Sequence, residues 1–256
     1  MAHALPWKTA WVTGASSGIG RDVALILARA GVRVAATARG SDRLTDLAAR
    51  QPGIAAYPVD VTDPSAVRTA TGHILADLGA IDLAFLNAGI WQPMGASDFD
   101  AARARQSMAV NYLGIVNALE PLIPRMVARG KGQIALMGSV AGYRGLPGSA
   151  AYSPSKSAVI SLAETLKPDL QRKGVTISIV NPGFVATPMT NDNPFPMPFI
   201  LESDDAARRI VDGLAKGKFE VAFPWQMVSL LKVARVLPYM LYFRYMRRLI
   251  GDGRRS

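Results

Sequence analysis

The sequence predicts an α/β fold: a doubly wound, mostly parallel sheet with helices on both faces, in a single domain. Three observations carry this expectation. Short apolar, β-branched runs alternate with longer amphipathic ones, which is a strand–helix–strand rhythm. The short runs are near-continuously apolar, as strands covered on both faces are. The 256 residues are half hydrophobic and 19% charged, with no strongly polar or repetitive stretch, so one large core suffices and disorder is confined to the ends.

The elements follow in order. A strand over 9–12 (TAWV) runs into TGASSGIG, and a helix is expected over 18–30. Glycine lets the backbone turn tightly and approach a pyrophosphate, while the helix N-terminus offers free N–H groups and a positive dipole end. Gly14, Ser16, Ser17, Gly18, Ile19 and Gly20 are therefore expected to hold a dinucleotide, in the Rossmann-like manner. An ordinary strand-to-helix turn is the competing reading. The preceding strand, the following helix and the first place in the fold count against it.

The second strand, 32–38, ends at Ala38 and Arg39, where adenosine ribose is met. An acid there would accept bonds from the 2′-OH of NAD, whereas a neutral residue followed by arginine leaves room and charge for a 2′-phosphate. NADP, as NADPH in reduction, is the expected cofactor, with NAD as the alternative; by itself Arg39 reads as a solvated arginine. A third strand over 54–59 leads to Asp60 and Val61, a helix over 63–78 follows, and a fourth strand over 81–86 leads to Asn87, Ala88 and Gly89. Asp60 is a candidate for the adenine amino group, and the Asn-Ala-Gly turn lets backbone approach the cofactor. Each is a turn signal when taken alone; their weight comes from falling at successive strand ends on one side of one sheet.

A helix is expected over 101–128, a fifth strand over 132–138 ending at Ser139, a helix from near residue 151, and a sixth strand over 175–180 followed by NPGFVAT. Tyr152 and Lys156 are four apart, so they share a helical face, and Pro154 fits the first turn, where backbone N–H groups lack partners.

Taken together, TGASSGIG, NAG, Asn111 in AVNYLG, Ser139 in MGSVAG, Tyr152 and Lys156 in YSPSK, and NPGFVATPM resemble the short-chain dehydrogenase/reductase family over about residues 8–190. The 13-residue spacing from Ser139 to Tyr152 also fits that family. The resemblance implies hydride transfer between nicotinamide and a carbonyl or alcohol carbon. A phenol ionises near pH 10, so as a base it needs help; Lys156 would supply positive charge and hold the nicotinamide ribose. Tyr152 would exchange the proton with the substrate oxygen, Ser139 would orient that oxygen, and Asn111 would bind a relay water. Pro182, Gly183 and Val185 would shape the backbone beside the ring, and Thr187 would bond the carboxamide. Ordinary alternatives are a cap for Ser139, a surface pair for Tyr152 and Lys156, and a plain strand-to-loop turn for Thr187. A homodimer or homotetramer through helices near 101–128 and 150–172 is also implied.

Other classes are disfavoured. A serine hydrolase at Ser139 needs a histidine base, yet only His3 and His73 exist, neither suitably placed; with no cysteine, a zinc site is not expected either. A non-catalytic dinucleotide-binding protein, redox-sensing or membrane-associated, remains the competing class, and the complete Ser139, Tyr152 and Lys156 set argues against it. The absence of cysteine and of a secretory pattern suits a reducing cytoplasm.

Residues 184–200 (FVATPMTNDNPFPMPFI) read as a lid on a catalytic domain spanning 1–222. With Trp91, Met94 and Tyr143, the lid residues Met189, Phe195, Met197 and Phe199 suggest an apolar pocket for a lipophilic ketone or secondary alcohol; completing the core or a subunit contact is the alternative. Of the net charge of +10, +7 lies in residues 216–256. The extension over 223–256 reads as two short amphipathic helices broken at Pro238, with Arg244, Arg247 and Arg248 clustered and Trp225, Tyr239, Tyr242, Phe243 and Tyr245 opposite the arginines. It is too short to span a bilayer and suits the cytoplasmic face of the inner membrane, or else cleft closure or a subunit contact. Nucleic-acid binding is disfavoured, because the aromatics stand among large aliphatics.

Overall fold

The computed structural model describes residues 4–191, 193 and 196–250. Seven parallel strands form the central sheet: β1 (Thr9–Thr13), β2 (Arg33–Ala38), β3 (Ile54–Pro58), β4 (Leu83–Leu86), β5 (Gly132–Met137), β6 (Val175–Pro182) and β9 (Glu220–Phe223), in the order β3-β2-β1-β4-β5-β6-β9. Chain order reverses between β1 and β4, which register Ala10 on Leu83 and Val12 on Phe85. Ligands of such sheets bind outside the carboxyl ends at this reversal.

The strands are apolar on both faces because both are covered. On one side α1 (Gly18–Arg29), α2 (Ser41–Arg50) and α7 (Ser203–Ala215) bury Val23, Leu27, Leu44 and Ile210 against Val12, Val34 and Phe85. On the other, α3 (Pro64–Leu78), α5 (Gly114–Arg129) and α6 (Tyr152–Arg172) bury Ile74, Leu122 and Val159 against Trp11, Leu86 and Ile134. Trp11 is fully buried, and its indole N–H donates to Thr37 Oγ1 at 3.1 Å, which satisfies its polar atom inside the core.

The first six strands and the first helix fall where the alternation of runs places them. Three differences have physical causes. The single helix expected over 101–128 is divided into α4 (Ala101–Met108) and α5 by a π turn, Ala109–Leu113, which contains Asn111. The seventh strand, β9, was not expected; it has only four residues and follows a basic turn, so it carries little apolar signal, yet it hydrogen-bonds along β6 from Ile179 to Pro182. The segment 184–200 is not wholly irregular, since β7 (Val185–Ala186) pairs in parallel with β8 (Leu201–Glu202) and closes its base.

The C-terminal residues form α8 (Trp225–Val236) and α9 (Tyr239–Ile250), divided at Pro238 as the sequence predicts. Helix α8 lies on the domain: Leu231 and Ala234 are buried, and Met227 and Val228 pack partly against the second core cluster. No helix among the described residues is long and apolar enough to cross a membrane. His3, Phe195, the side chain of Arg248 and residues 251–256 lie outside the described residues.

Candidate active site

A cavity of about 890 Å3 runs along the carboxyl ends of β1 to β6. One of its ends is built from backbone. Gly14 and Gly18 have φ of +66° and +52°, values that side chains other than glycine rarely adopt. A methyl on Gly20 would sit 2.3 Å from the Gly14 carbonyl oxygen, so only glycine permits this turn to close on the helix. Ser17 occupies the N-cap position of α1 but makes no capping bond with its side chain, and the first turn has no acid. The N-terminal amides of α1 therefore face the cavity with their positive dipole end uncompensated. Asn87 fastens the neighbouring strand end: its side-chain amide donates to the Thr13 and Gly14 carbonyls at 3.0 and 3.3 Å, while Thr13 Oγ1 accepts from Asn87 and Ala88 N–H.

Ser16, Ile19, Arg39, Asp60, Val61, Ala88 and Gly89 line the same cavity. One carboxylate oxygen of Asp60 accepts from the backbone and hydroxyl of Thr62, which fixes the loop after β3. Arg43, near the start of α2, lines this end with Arg39 and was not singled out from sequence. The spacing of four between Arg39, after β2, and Arg43, in the first turn of α2, is the available signal.

The other end carries side chains. Ser139 lies two residues after β5 and caps a short 3-10 turn, accepting from Ala141 N–H at 3.1 Å. Its hydroxyl donates to the Pro182 carbonyl at 3.4 Å and stands close enough to the Tyr152 phenol to favour its ionised form. Tyr152 opens α6, and Lys156, one turn later, reaches under the sheet end: its ammonium donates to the Met137 carbonyl at 2.8 Å and lies 5.6 Å from the Tyr152 ring centre. Pro154 occupies the first turn of α6, which the tyrosine begins. A methyl on Gly142 would come within 2.8 Å of the Lys156 backbone, so the chain after Ser139 packs tightly on the helix that carries the lysine.

Burial pushes the phenol of Tyr152 up to about 12, with the Ser139 hydroxyl pulling it the other way, and pushes the Lys156 ammonium down to about 7. The expected help of lysine to phenolate is thus opposed by desolvation. A phenol in this setting is a protonated acid at neutral pH.

Asn111 stands behind the cavity rather than in its wall. Fully buried in the π turn, its side-chain oxygen accepts from Ile90 N–H at 2.7 Å, and its amide donates to the Ile90 carbonyl and to Ser155 Oγ, each at 3.0 Å. The side chain thereby ties the loop after β4 to α6. π turns of this kind recur at functional sites.

Pro182, Gly183, Val185 and Thr187 reach the cavity from β6 and the segment beyond it. Thr190, not foreseen, organises that turn: its hydroxyl donates to the carbonyls of Val185 at 2.7 Å and Thr187 at 3.0 Å, and accepts from Thr187 N–H. Of the expected apolar pocket, Trp91 and Met189 line the cavity. The Trp91 ring meets Tyr152 edge-on at 5.0 Å, and its indole N–H donates to Asn193 Oδ1 at 2.8 Å, joining the segment after β7 to the tyrosine end of the cavity. Met94 and Tyr143 do not belong to the pocket. Met94 is a core residue held by backbone pairing with Gly148 and Ala150, and the Tyr143 hydroxyl turns away to donate to Glu220 at 2.5 Å. Met197 contacts Asn193, and Phe199 is exposed.

A family profile described as short chain dehydrogenase matches residues 8–195. An uncharacterized oxidoreductase of Myxococcus xanthus is 40% identical over 249 residues, covering 96% of this chain and 98% of its own, so the likeness extends well past the profile into the C-terminal helices. The 3-oxoacyl-[acyl-carrier-protein] reductase FabG of Thermotoga maritima is 31% identical over 199 residues, 74% of this chain and 79% of its own. Among solved structures, a short-chain dehydrogenase from Streptomyces avermitilis superposes with a TM-score of 0.80 at 26% identity, covering 97% of each chain. The fold is shared as well by a Burkholderia phymatum protein solved in complex with NAD, with a TM-score of 0.82 at 22% identity over 99% of this chain and 98% of that one. This chain belongs to the short-chain dehydrogenase/reductase family.

Proposed function

We propose that the protein is an NADP-linked oxidoreductase acting on a lipophilic carbonyl or secondary alcohol, with Tyr152 as general acid and base. The observation that carries this reading is the convergence of Ser139, Tyr152 and Lys156 in one cavity with a glycine turn and an uncapped helix N-terminus. The fit to a dinucleotide rests on that turn, where no Cβ is tolerated at Gly20 and the first amides of α1 face the cavity. The nicotinamide, when bound, supplies hydride in reduction and accepts it in oxidation.

This chain's residues handle the rest. Ser139 donates a hydrogen bond to the substrate oxygen and fixes its position. Tyr152 transfers its phenolic proton to that oxygen as negative charge develops there, and takes it back in oxidation. Lys156, held by the Met137 carbonyl, offsets the phenolate left behind when it is in its ammonium form, which that developing negative charge favours. Asn111 fixes the distance between the β4 loop and α6, and a relay of protons past it toward solvent belongs to this proposal. Burial keeps the phenol protonated at neutral pH, the form that gives its proton in reduction.

Arg39 and Arg43 support NADP over NAD, since both line the end where a 2′-phosphate would lie and Ala38 leaves the strand end without an acid. Trp91 and Met189 support a lipophilic substrate. We place the enzyme in the cytoplasm as a homodimer or homotetramer through α4, α5 and α6, where Phe99 just before α4 and Leu113 just before α5 are exposed. A screen of ketones and alcohols, from small polar to steroid, aryl and long-chain, with NADPH, NADH and their oxidised forms tests the reading. It predicts turnover of lipophilic members with NADPH; activity restricted to NADH or to small polar carbonyls would refute the corresponding part. Native mass spectrometry checks the assembly, and a monomer would refute it.

A further inference from the structure

The outer surface of the two C-terminal helices has no role in the proposed chemistry and is unusually apolar. Helix α8 turns Leu231 and Ala234 inward and leaves Trp225 and Val236 73% and 79% exposed. Helix α9 buries Tyr242 and Met246 but leaves Tyr239, Met240 and Phe243 exposed by 73%, 79% and 54%. Tyr242 thus departs from the sequence expectation: it faces the domain rather than joining the exposed aromatics, and its hydroxyl donates to the Gly145 carbonyl.

The orientation of this surface is fixed. The Arg144 guanidinium donates to the carbonyls of Ala234, Arg235 and Leu237, at 3.2 Å for Arg235 and 2.7 Å for Leu237, and lies 4.0 Å from the Tyr242 ring centre. Lys232 pairs with Glu220, which also accepts from Tyr143 and from Asn181 at 3.0 Å. The inner face is therefore locked to the domain by polar contacts, while Val236 at the end of α8 and Met240 and Phe243 three apart on α9 stay exposed, beside Tyr239 at the flank, whose ring lies 4.9 Å from the Arg144 guanidinium. Arg244 and Arg247 are exposed on the same helix, within a segment carrying +7 of the chain's charge.

We propose that the outer face of α8 and α9 is a peripheral docking surface for an anionic lipid bilayer. Aromatic and aliphatic side chains beside arginines suit the boundary between headgroups and acyl chains. Charge favours lipid over a second copy of the chain: a two-fold contact would press two copies of the same arginine-bearing patch together, whereas anionic headgroups complement it. Neither helix can span the bilayer, so the surface lies upon it.

Flotation of the full chain with vesicles of phosphatidylcholine alone, or with about one third phosphatidylglycerol, tests this and needs no catalytic readout. Binding to the anionic vesicles, weakened by high salt, is expected. Arg244→Gln and Arg247→Gln should each weaken it about fivefold. Combining Trp225→Ala, Val236→Ser and Met240→Ser should weaken it at least tenfold, with thermal melting unchanged because the positions are exposed. Failure to float, equal flotation on both vesicle types, or self-association abolished by these same substitutions would overturn the proposal.

Discussion

The two ends of the cavity are built by different means. At the end proposed for the nucleotide the main chain makes the site: left-handed glycines, the first amides of α1 and an asparagine that fastens strand ends. At the end proposed for the substrate, side chains from distant segments make it, with Trp91 held by Asn193 of the segment after β7 and the stretch after Ser139 braced by Arg144 against α8. A site made of backbone tolerates little change at its glycines, while one made of long-range contacts is adjustable residue by residue.

The largest expected effect breaks the backbone end. Gly20→Ala places a methyl 2.3 Å from the Gly14 carbonyl, against main chain that cannot rotate away. A loss of about 3 kcal/mol in stability is expected, together with loss of dinucleotide binding, by denaturant melts and NADPH fluorescence. Next, Arg39→Ala combined with Arg43→Ala should raise the Kd for NADPH roughly 30-fold while leaving NADH within about threefold, since charged hydrogen bonds to a phosphate contribute about 2 kcal/mol. Equal effects on both cofactors would contradict the placing of the 2′-phosphate.

On the other side, Arg144→Ala removes the guanidinium that satisfies three carbonyls at the end of α8. A loss of about 1 to 2 kcal/mol is expected, with NADPH affinity preserved, which would separate the tail's support from the nucleotide end. A smaller effect concerns pH. The Lys156 ammonium is depressed in the folded chain to about 7 from an ordinary 10.5. Between those values the unfolded chain holds a proton that the folded chain lacks, so this group makes stability rise with pH across that window. Above 10 the raised Tyr152 acts oppositely, since the unfolded phenol has ionised and the folded one has not. From pH 7 to 9.5, wild type should therefore gain at least about 1 kcal/mol, roughly 2–4 °C in Tm, relative to Lys156→Met.

The same contrast explains what could be read before the structure. Backbone sites leave local traces: glycines after a strand, Asn-Ala-Gly at the next strand end, and Tyr152 and Lys156 one helical turn apart are all visible within a few residues. Arg43 was missed because its place depends on how α2 leaves the sheet. The loops of Tyr143 and Met94 point to the pocket in sequence, yet direction depends on Glu220, 77 residues away for Tyr143, and on pairing with the chain around Gly148 for Met94. The strand β9 escaped notice because four residues beside a basic turn show little periodicity. The π turn at Asn111 likewise leaves no trace in a continuous helical pattern.

Proton transfer by Tyr152 is the central claim, and Tyr152→Phe tests it most directly. With the best ketone from the screen, single-turnover reduction by NADPH should slow by about 10²- to 10⁴-fold, while the Kd for NADPH, read by fluorescence, stays within about twofold. Turnover near wild type in a variant that still binds NADPH would contradict the account.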